Sequence, residues 1–117
     1  MQRAYVSYAS GDYVAALHDC SATLDRLPAR AEAHWLRGAC LYRLGQFFAA
    51  GDDFQCAIEA DAANLTYIAW TRVAIQRSEA ILRRSLEKFP QNEVLRLTWK
   101  ATISDLKRLI QYENLLK

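Results

Sequence analysis

The side chains that could do chemistry in this chain are few and scattered. Its only histidines are His18 and His34. His18 has Asp19 and Cys20 beside it, and His34 stands near Glu32, but residues one or two apart on a helix point to different faces. No His or Cys pair falls at the i, i+4 spacing that sets two ligands on one helical face, so no metal site is expected. Cys20, Cys40 and Cys56 are odd in number and lack Cys-x-x-Cys spacing. That argues against a disulfide framework or zinc site and for reduced, core-packed thiols in an intracellular protein. Asp52 and Asp53 adjoin, so on a helix their carboxylates diverge. They read as solvated charge that stabilises a helix start. The glycines at 11, 38, 45 and 51 are too dispersed for a phosphate-binding loop, and no Gly-x-Ser-x-Gly elbow occurs. The expectation is therefore no enzyme, no cofactor and no small-molecule substrate.

Function must then lie in surface, and surface depends on the elements that build it. The chain has 117 residues, 52% hydrophobic and 24% charged, enough apolar matter for one folded domain spanning 1–117. With 4 Gly and 2 Pro there is too little punctuation for a hairpin-rich β-sandwich. No stretch approaches the ~20 apolar residues that span a bilayer. The opening Met-Gln-Arg-Ala-Tyr-Val-Ser-Tyr lacks the apolar core of a secretory signal. Asn64-Leu65-Thr66 is a formal glycosylation sequon with nothing else pointing to secretion. An intracellular home, cytoplasmic or mitochondrial, is expected. Charge is uneven: residues 1–71 hold five Lys and Arg against eight Asp and Glu, and residues 72–117 hold ten against five. The C-terminal part is mildly basic.

The strongest signal is internal repetition. Displaced by 34 residues, the sequence meets itself at Arg3/Arg37, Tyr8/Tyr42, Gly11/Gly45, Ala15-Ala16/Ala49-Ala50, Asp19/Asp53 and Ala29/Ala63. Tyr13 meets Phe47, and Leu24 meets Ile58. A period of this length is a solenoid signature. Each unit reads as two helices and a turn. Ala31 to Leu44 is rich in helix formers, Gly45 supplies the positive-φ position that ends a helix, and Phe47 to Ala60 resumes the pattern. Phe47, Ala50, Phe54, Ala57 and Ile58 form an apolar stripe. Gly38, Ala50 and Ala57 let helices approach closely, and Phe47 and Phe54 fill the gaps.

At these residues the chain resembles the tetratricopeptide repeat (TPR) family. Residues 31–64 match a full repeat: Gly38 is the small residue of the first helix, Gly45 and Phe47 the turn glycine and following aromatic, and Ala50, Phe54 and Ala57 the second-helix pattern. Departures are His34 where the family favours Trp, with Trp35 one place later, and Ala62 where it favours Pro. Residues 1–30 form a partial repeat that begins part-way through its first helix, with Ala4, Gly11, Tyr13, Ala16, Cys20, Thr23 and Pro28 at corresponding places. Residues 65–90 are expected as a degenerate short repeat, Thr66 to Arg77 and Ser78 to Phe89, with a turn near Gln76 to Ser78 and closure at Pro90. One unbroken helix from Leu65 to Phe89 is the alternative. Residues 91–117 read as a C-terminal helix from Asn92 to about Leu116, with Leu95, Trp99, Ile103, Leu106 and Ile110 on one stripe. A solenoid needs such a cap with one wet face. The predicted fold is all-α: a short TPR-like α-solenoid of antiparallel helix pairs with a long capping helix.

The resemblance implies that the first helix of each pair lines a concave, peptide-binding groove. Carried over residue by residue, the partner-binding candidates are Tyr5, Tyr8, Trp35, Leu36, Tyr42, Arg43, Trp70 and Val73, with Glu32, Ala39, Thr66, Ala69 and Arg77 alongside. Such an aromatic wall suits an apolar or helical segment of another protein. It could equally pack against the chain's own C-terminal helix. TPR cochaperones clamp acidic chaperone tails with Lys, Asn, Asn, Lys and Arg; the aligned residues are Met1, Tyr5, Leu36, Thr66 and Trp70, and none matches. That adaptor reading is disfavoured, because a two-carboxylate clamp needs charge-assisted donors. The leading expectation is an interaction module serving as an accessory or scaffold subunit of a larger, mitochondrial or cytoplasmic complex. The second is a nucleic-acid-associated scaffold using Arg83, Arg84, Lys88, Arg96, Lys100, Lys107 and Arg108. The small charge excess weighs against nucleic acid.

Overall fold

A computed structural model describes all residues, 1–117. Six helices follow one another: α1 (Gln2–Ala9), α2 (Tyr13–Arg26), α3 (Ala31–Arg43), α4 (Phe47–Ala60), α5 (Leu65–Lys88) and α6 (Glu93–Leu116). They fold as three antiparallel hairpins, α1/α2, α3/α4 and α5/α6, stacked in chain order. The radius of gyration, 15.2 Å, exceeds the ~13 Å of a globular chain of this length, as expected of an array. The odd helices α1, α3 and α5 approach one another in sequence, whereas no two even helices do. The array therefore curves toward the odd helices, and their shared face is the inner one.

Local signals explain the boundaries. Gly11 (φ +87°) and Gly45 (φ +81°) end the first helices of the first two hairpins in the left-handed conformation that glycine adopts without strain. Asp12, Asn64 and Asn92 start α2, α5 and α6, their side chains accepting from the N–H groups of Ala15, Tyr67 and Leu95 at 3.1–3.2 Å. The core runs along the seam between layers: Ala4, Cys20 and Leu36 in one cluster, and Ala50, Phe54 and Ala74 in the next.

The third hairpin departs from the short pair expected over 65–90. No turn occurs at Gln76 to Ser78, and α5 is a single helix of 24 residues. The physical reason is the absence of any Gly or Pro between Leu65 and Phe89. Nothing interrupts the backbone ladder, and the Ser78 hydroxyl donates to the Ala74 carbonyl at 3.0 Å, within the helix. The C-terminal helix is accordingly the second arm of this hairpin. Both arms outrun those of the hairpin before by about three turns, ~16 Å at 1.5 Å per residue.

Each hairpin carries an arginine–carboxylate clasp. Arg3 holds Asp19 through two bonds of 3.0 and 2.6 Å, Arg37 holds Asp53 through two of 2.8 Å, and Arg72 holds Glu113. Asp53 was expected in solvent, yet it is buried. The α3 face turned toward α4 brings it Arg37 and also His34, whose Nδ1 lies 3.2 Å away while Nε2 faces the Pro28 carbonyl at 2.8 Å. Burial of an aspartate is tolerable because charged donors replace water on both its oxygens.

Gly38 marks the tightest packing. A Cβ there would stand 2.6 Å from Phe54 Cε1 and 3.1 Å from the Ala50 carbonyl. Gly38→Ala is expected to lower unfolding free energy by about 1–2 kcal/mol, the overpacking cost being reduced by the better helix propensity of alanine. Urea unfolding should show a lower midpoint at unchanged slope; an unchanged midpoint would mean that the hairpin opens to admit the methyl. Burial also pushes the Cys20 thiol up to about 12 and that of Cys40 up to about 11, from the ordinary 9.0. The folded chain keeps protons that the unfolded chain releases, so stability should be intact below pH 9 and decline as pH rises through 11. Denaturation midpoints at pH 8 and pH 10.5 test this. A thiol reagent should modify at most Cys56 in the native protein and all three cysteines in denaturant.

Candidate inner-face binding site

The inner face is built from aromatic side chains one or two turns apart on three helices. Helix α1 contributes Tyr5 and Tyr8, α3 contributes Trp35 and Tyr42, and α5 contributes Tyr67 and Trp70. Trp35 lies at the centre, its ring centroid 6.4 Å from Tyr5, 6.0 Å from Tyr67 in a stacked pose, and 6.0 Å from Trp70 edge-on. Tyr42 meets Trp70 at 5.9 Å, nearly perpendicular. These distances and tilts are those of favourable aromatic pairs, each worth about 0.5–1.5 kcal/mol beyond its buried area. All six rings are half-buried: each is fixed by its neighbours yet keeps surface for something else.

The wall rests on the hairpin behind it. Phe54, fully buried, lies under Trp70 with ring centroids 5.7 Å apart. Trp35 is held so tightly that its indole N–H is buried without an acceptor, a cost of about 1–3 kcal/mol that its aromatic contacts must offset. Burial first, and then the neighbouring Glu32 carboxylate, raise the ionisation of Tyr5 well above the ordinary tyrosine value. Arg43 donates from Nε to the Tyr8 hydroxyl at 3.1 Å, and no carboxylate pairs with it.

Two of the hollows on this scaffold border α5. On the inner face Tyr42, Arg43, Ala69, Trp70 and Val73 line a cavity of about 250 Å³. On the outer face a larger cleft of about 580 Å³ separates α4 from α6 over the floor of α5. Its walls mix apolar side chains, among them Phe48, Ile58, Ile75 and Leu109, with polar ones, among them Asp52, Gln55, Asp105 and Arg108. Arg108 is neutralised by Asp105 within its own helix, and the Tyr112 hydroxyl donates to the Ala62 carbonyl. The outer cleft is the larger, and its polar and apolar side chains are interspersed. The inner hollow presents aromatic and aliphatic walls with a guanidinium at the rim. No group of three or more His, Cys, Asp or Glu residues gathers in metal-binding geometry, and no helix is long and apolar enough to cross a membrane.

The sequence-derived candidates separate into groups. Tyr42, Arg43, Trp70 and Val73 come together in the inner hollow. Tyr5 and Trp35 lie beside it in one continuous wall, and Tyr8 reaches it through Arg43. Leu36 is a correction. It has no exposed surface and packs with Ala4 and Cys20, because its position one residue past Trp35 turns it into the seam between α1 and α3. It supports the wall from behind. Tyr67 was missed, although its place three residues before Trp70 on one helix is a signal that pattern alone could have supplied. The stripe of α6 lies against α5, away from the inner hollow, so the aromatic wall is not sealed by the chain's own C-terminal helix.

No protein-family model matches the chain, and no curated protein matches it in sequence. Solved structures do resemble it. One is the first TPR of Spaghetti (RPAP3) bound to the HSP90 peptide SRMEEVD, with 17% identity, 91% of this chain and 89% of that one covered, and a TM-score of 0.61. Another is the type III secretion translocator chaperone SycD of Yersinia enterocolitica, with 16% identity, 97% and 82% covered, and a TM-score of 0.61. These likenesses show a TPR-like fold along nearly the whole chain. With Trp70 as sole tryptophan (Trp35→Phe and Trp99→Phe background), Phe54→Leu should red-shift its emission and destabilise the chain by about 1–2 kcal/mol. An unmoved spectrum would show that Phe54 does not support the wall.

Proposed function

We propose that this chain is a non-enzymatic interaction module that takes an apolar segment of another protein into the inner face, and that it works as an accessory subunit of a larger assembly. The observation that carries the reading is the half-exposed aromatic wall of Tyr5, Trp35, Tyr67, Trp70 and Tyr42, ending in the hollow beside Val73. Rigid aromatic side chains already held in place lose little entropy on binding, and so make efficient anchors. A hollow of about 250 Å³ accommodates one bulky apolar side chain. The Arg43 guanidinium at its rim, held by Tyr8, gives such a ligand a polar handle.

The fold neighbours support a binding role: one is bound to a peptide and the other is a chaperone of a secretion translocator. The chemistry of the first does not carry over. At the positions where carboxylate-clamping TPR domains place cationic and amide donors, this chain has Met1, Tyr5, Leu36, Thr66 and Trp70. An acidic tail would find no paired donors there. The buried, high-pKa thiols of Cys20 and Cys40 suit a structural role in the seam.

The test is selection from a displayed library of random 12-residue peptides, followed by affinity measurement. Selected peptides should carry bulky apolar anchors. Val73→Arg, which fills the hollow with charge at an exposed position, should weaken them at least tenfold, while Asp52→Lys in the outer cleft should not. Peptides indifferent to Val73→Arg but weakened by Asp52→Lys would move the binding face to the α4/α6 cleft.

A further inference from the structure

The extra three turns of the third hairpin project beyond the array and take no part in the inner face. The projection comprises the last turns of α5, the connecting Phe89-Pro90-Gln91-Asn92, and the first turns of α6. Its end is apolar and wet at once. Phe89 is 61% exposed, Val94 73% and Leu97 56%. Val94 and Leu97, three residues apart, share one face of α6, and Phe89 sits at the turn between the helices. Nothing in the chain covers them.

Immediately behind the apolar end lies positive charge. Residues 83–100 contain Arg83, Arg84, Lys88, Arg96 and Lys100 against Glu87 and Glu93, a net charge of +3, whereas the whole chain carries +2. The remaining residues therefore sum to −1. Arg83 leans on Glu79 at 3.7 Å and Arg96 pairs with Glu93. Arg84, Lys88 and Lys100 have no carboxylate partner. They stand within about 10 Å of the apolar end, at 1.5 Å rise per residue.

We infer that this hairpin tip docks on an anionic lipid surface, with Phe89, Val94 and Leu97 entering the headgroup boundary and Arg84, Lys88 and Lys100 resting on the phosphate layer. An apolar end backed by lysine and arginine is complementary to an interface that is apolar within and anionic at its edge. A nucleic acid would match the charge but would give the three exposed apolar side chains nothing to bury against. The small charge excess implies weak attachment that needs both components, because neither a few basic residues nor a few apolar ones anchor a protein alone. The inference is independent of what the inner face binds.

The experiment is co-sedimentation of the full chain with vesicles of phosphatidylcholine alone and with 30% phosphatidylserine, at low and physiological salt, with a short RNA duplex assayed in parallel. The expected result is a partition at least tenfold higher on the anionic vesicles, weakened by salt. Phe89→Asp and Leu97→Asp should each reduce it at least fivefold, and Lys88→Glu with Lys100→Glu should abolish it. All four positions are exposed, and circular dichroism should confirm unchanged helicity. No partition on anionic vesicles would overturn the inference, as would partition indifferent to Phe89→Asp and Leu97→Asp. RNA binding that depends on Lys88 and Lys100, with no lipid binding, would assign the tip to nucleic acid instead.

Discussion

The structure depends on how closely α3 and α4 can approach at Gly38. Only a residue without a side chain leaves room for the Phe54 ring, which would meet any Cβ at 2.6 Å. That approach sets where Phe54 lies. Phe54 in turn supports Trp70 on the next helix, and Trp70 meets both Trp35 and Tyr42. The inner wall is thus the visible end of a packing chain that begins inside the central hairpin. Interiors at crystal-like density transmit such constraints because there is little slack to absorb a shift.

The arginine–carboxylate clasps act on a second level, that of register. Arg3–Asp19 and Arg37–Asp53 are the same pair one repeat apart. Arg72–Glu113 bridges the third hairpin, whose longer arms put its acid much further along the chain. Each bridges the two arms of one hairpin and fixes how far one helix slides along the other. Their environments differ. Arg3 is largely exposed, and water screens most of what its pair contributes. Asp53 and Glu113 are buried, where removing one partner would strand a charge. The middle and last hairpins are therefore the ones held strictly in register.

Much of this was legible in the sequence, for identifiable reasons. The 34-residue period, the turn glycines and the small residues at 38, 50 and 57 express backbone geometry and close packing, which leave a local trace. The trace failed where a residue's role depends on what lies across from it. Asp53 and Asp52 look alike in sequence, and only the approach of α3 distinguishes the buried one. Leu36 and Trp35 are neighbours, and a rotation of about 100° per residue turns one into the seam and leaves the other on the wall. The long helix α5 was legible in the lack of Gly and Pro between 65 and 89, but the expectation of a regular period outweighed it. The outer cleft left no trace, since its lining comes from three separate helices.

Helix α5 carries Trp70 near one end and runs to Lys88 at the other without a proline, glycine or break. Such a rod has no hinge: about 27 Å of continuous backbone ladder joins the two points. A tilt imposed at the far end cannot dissipate along the way, and must appear as displacement of the aromatic ring at the near end. The projecting hairpin is in mechanical terms a lever, and the inner wall is the load on its short arm.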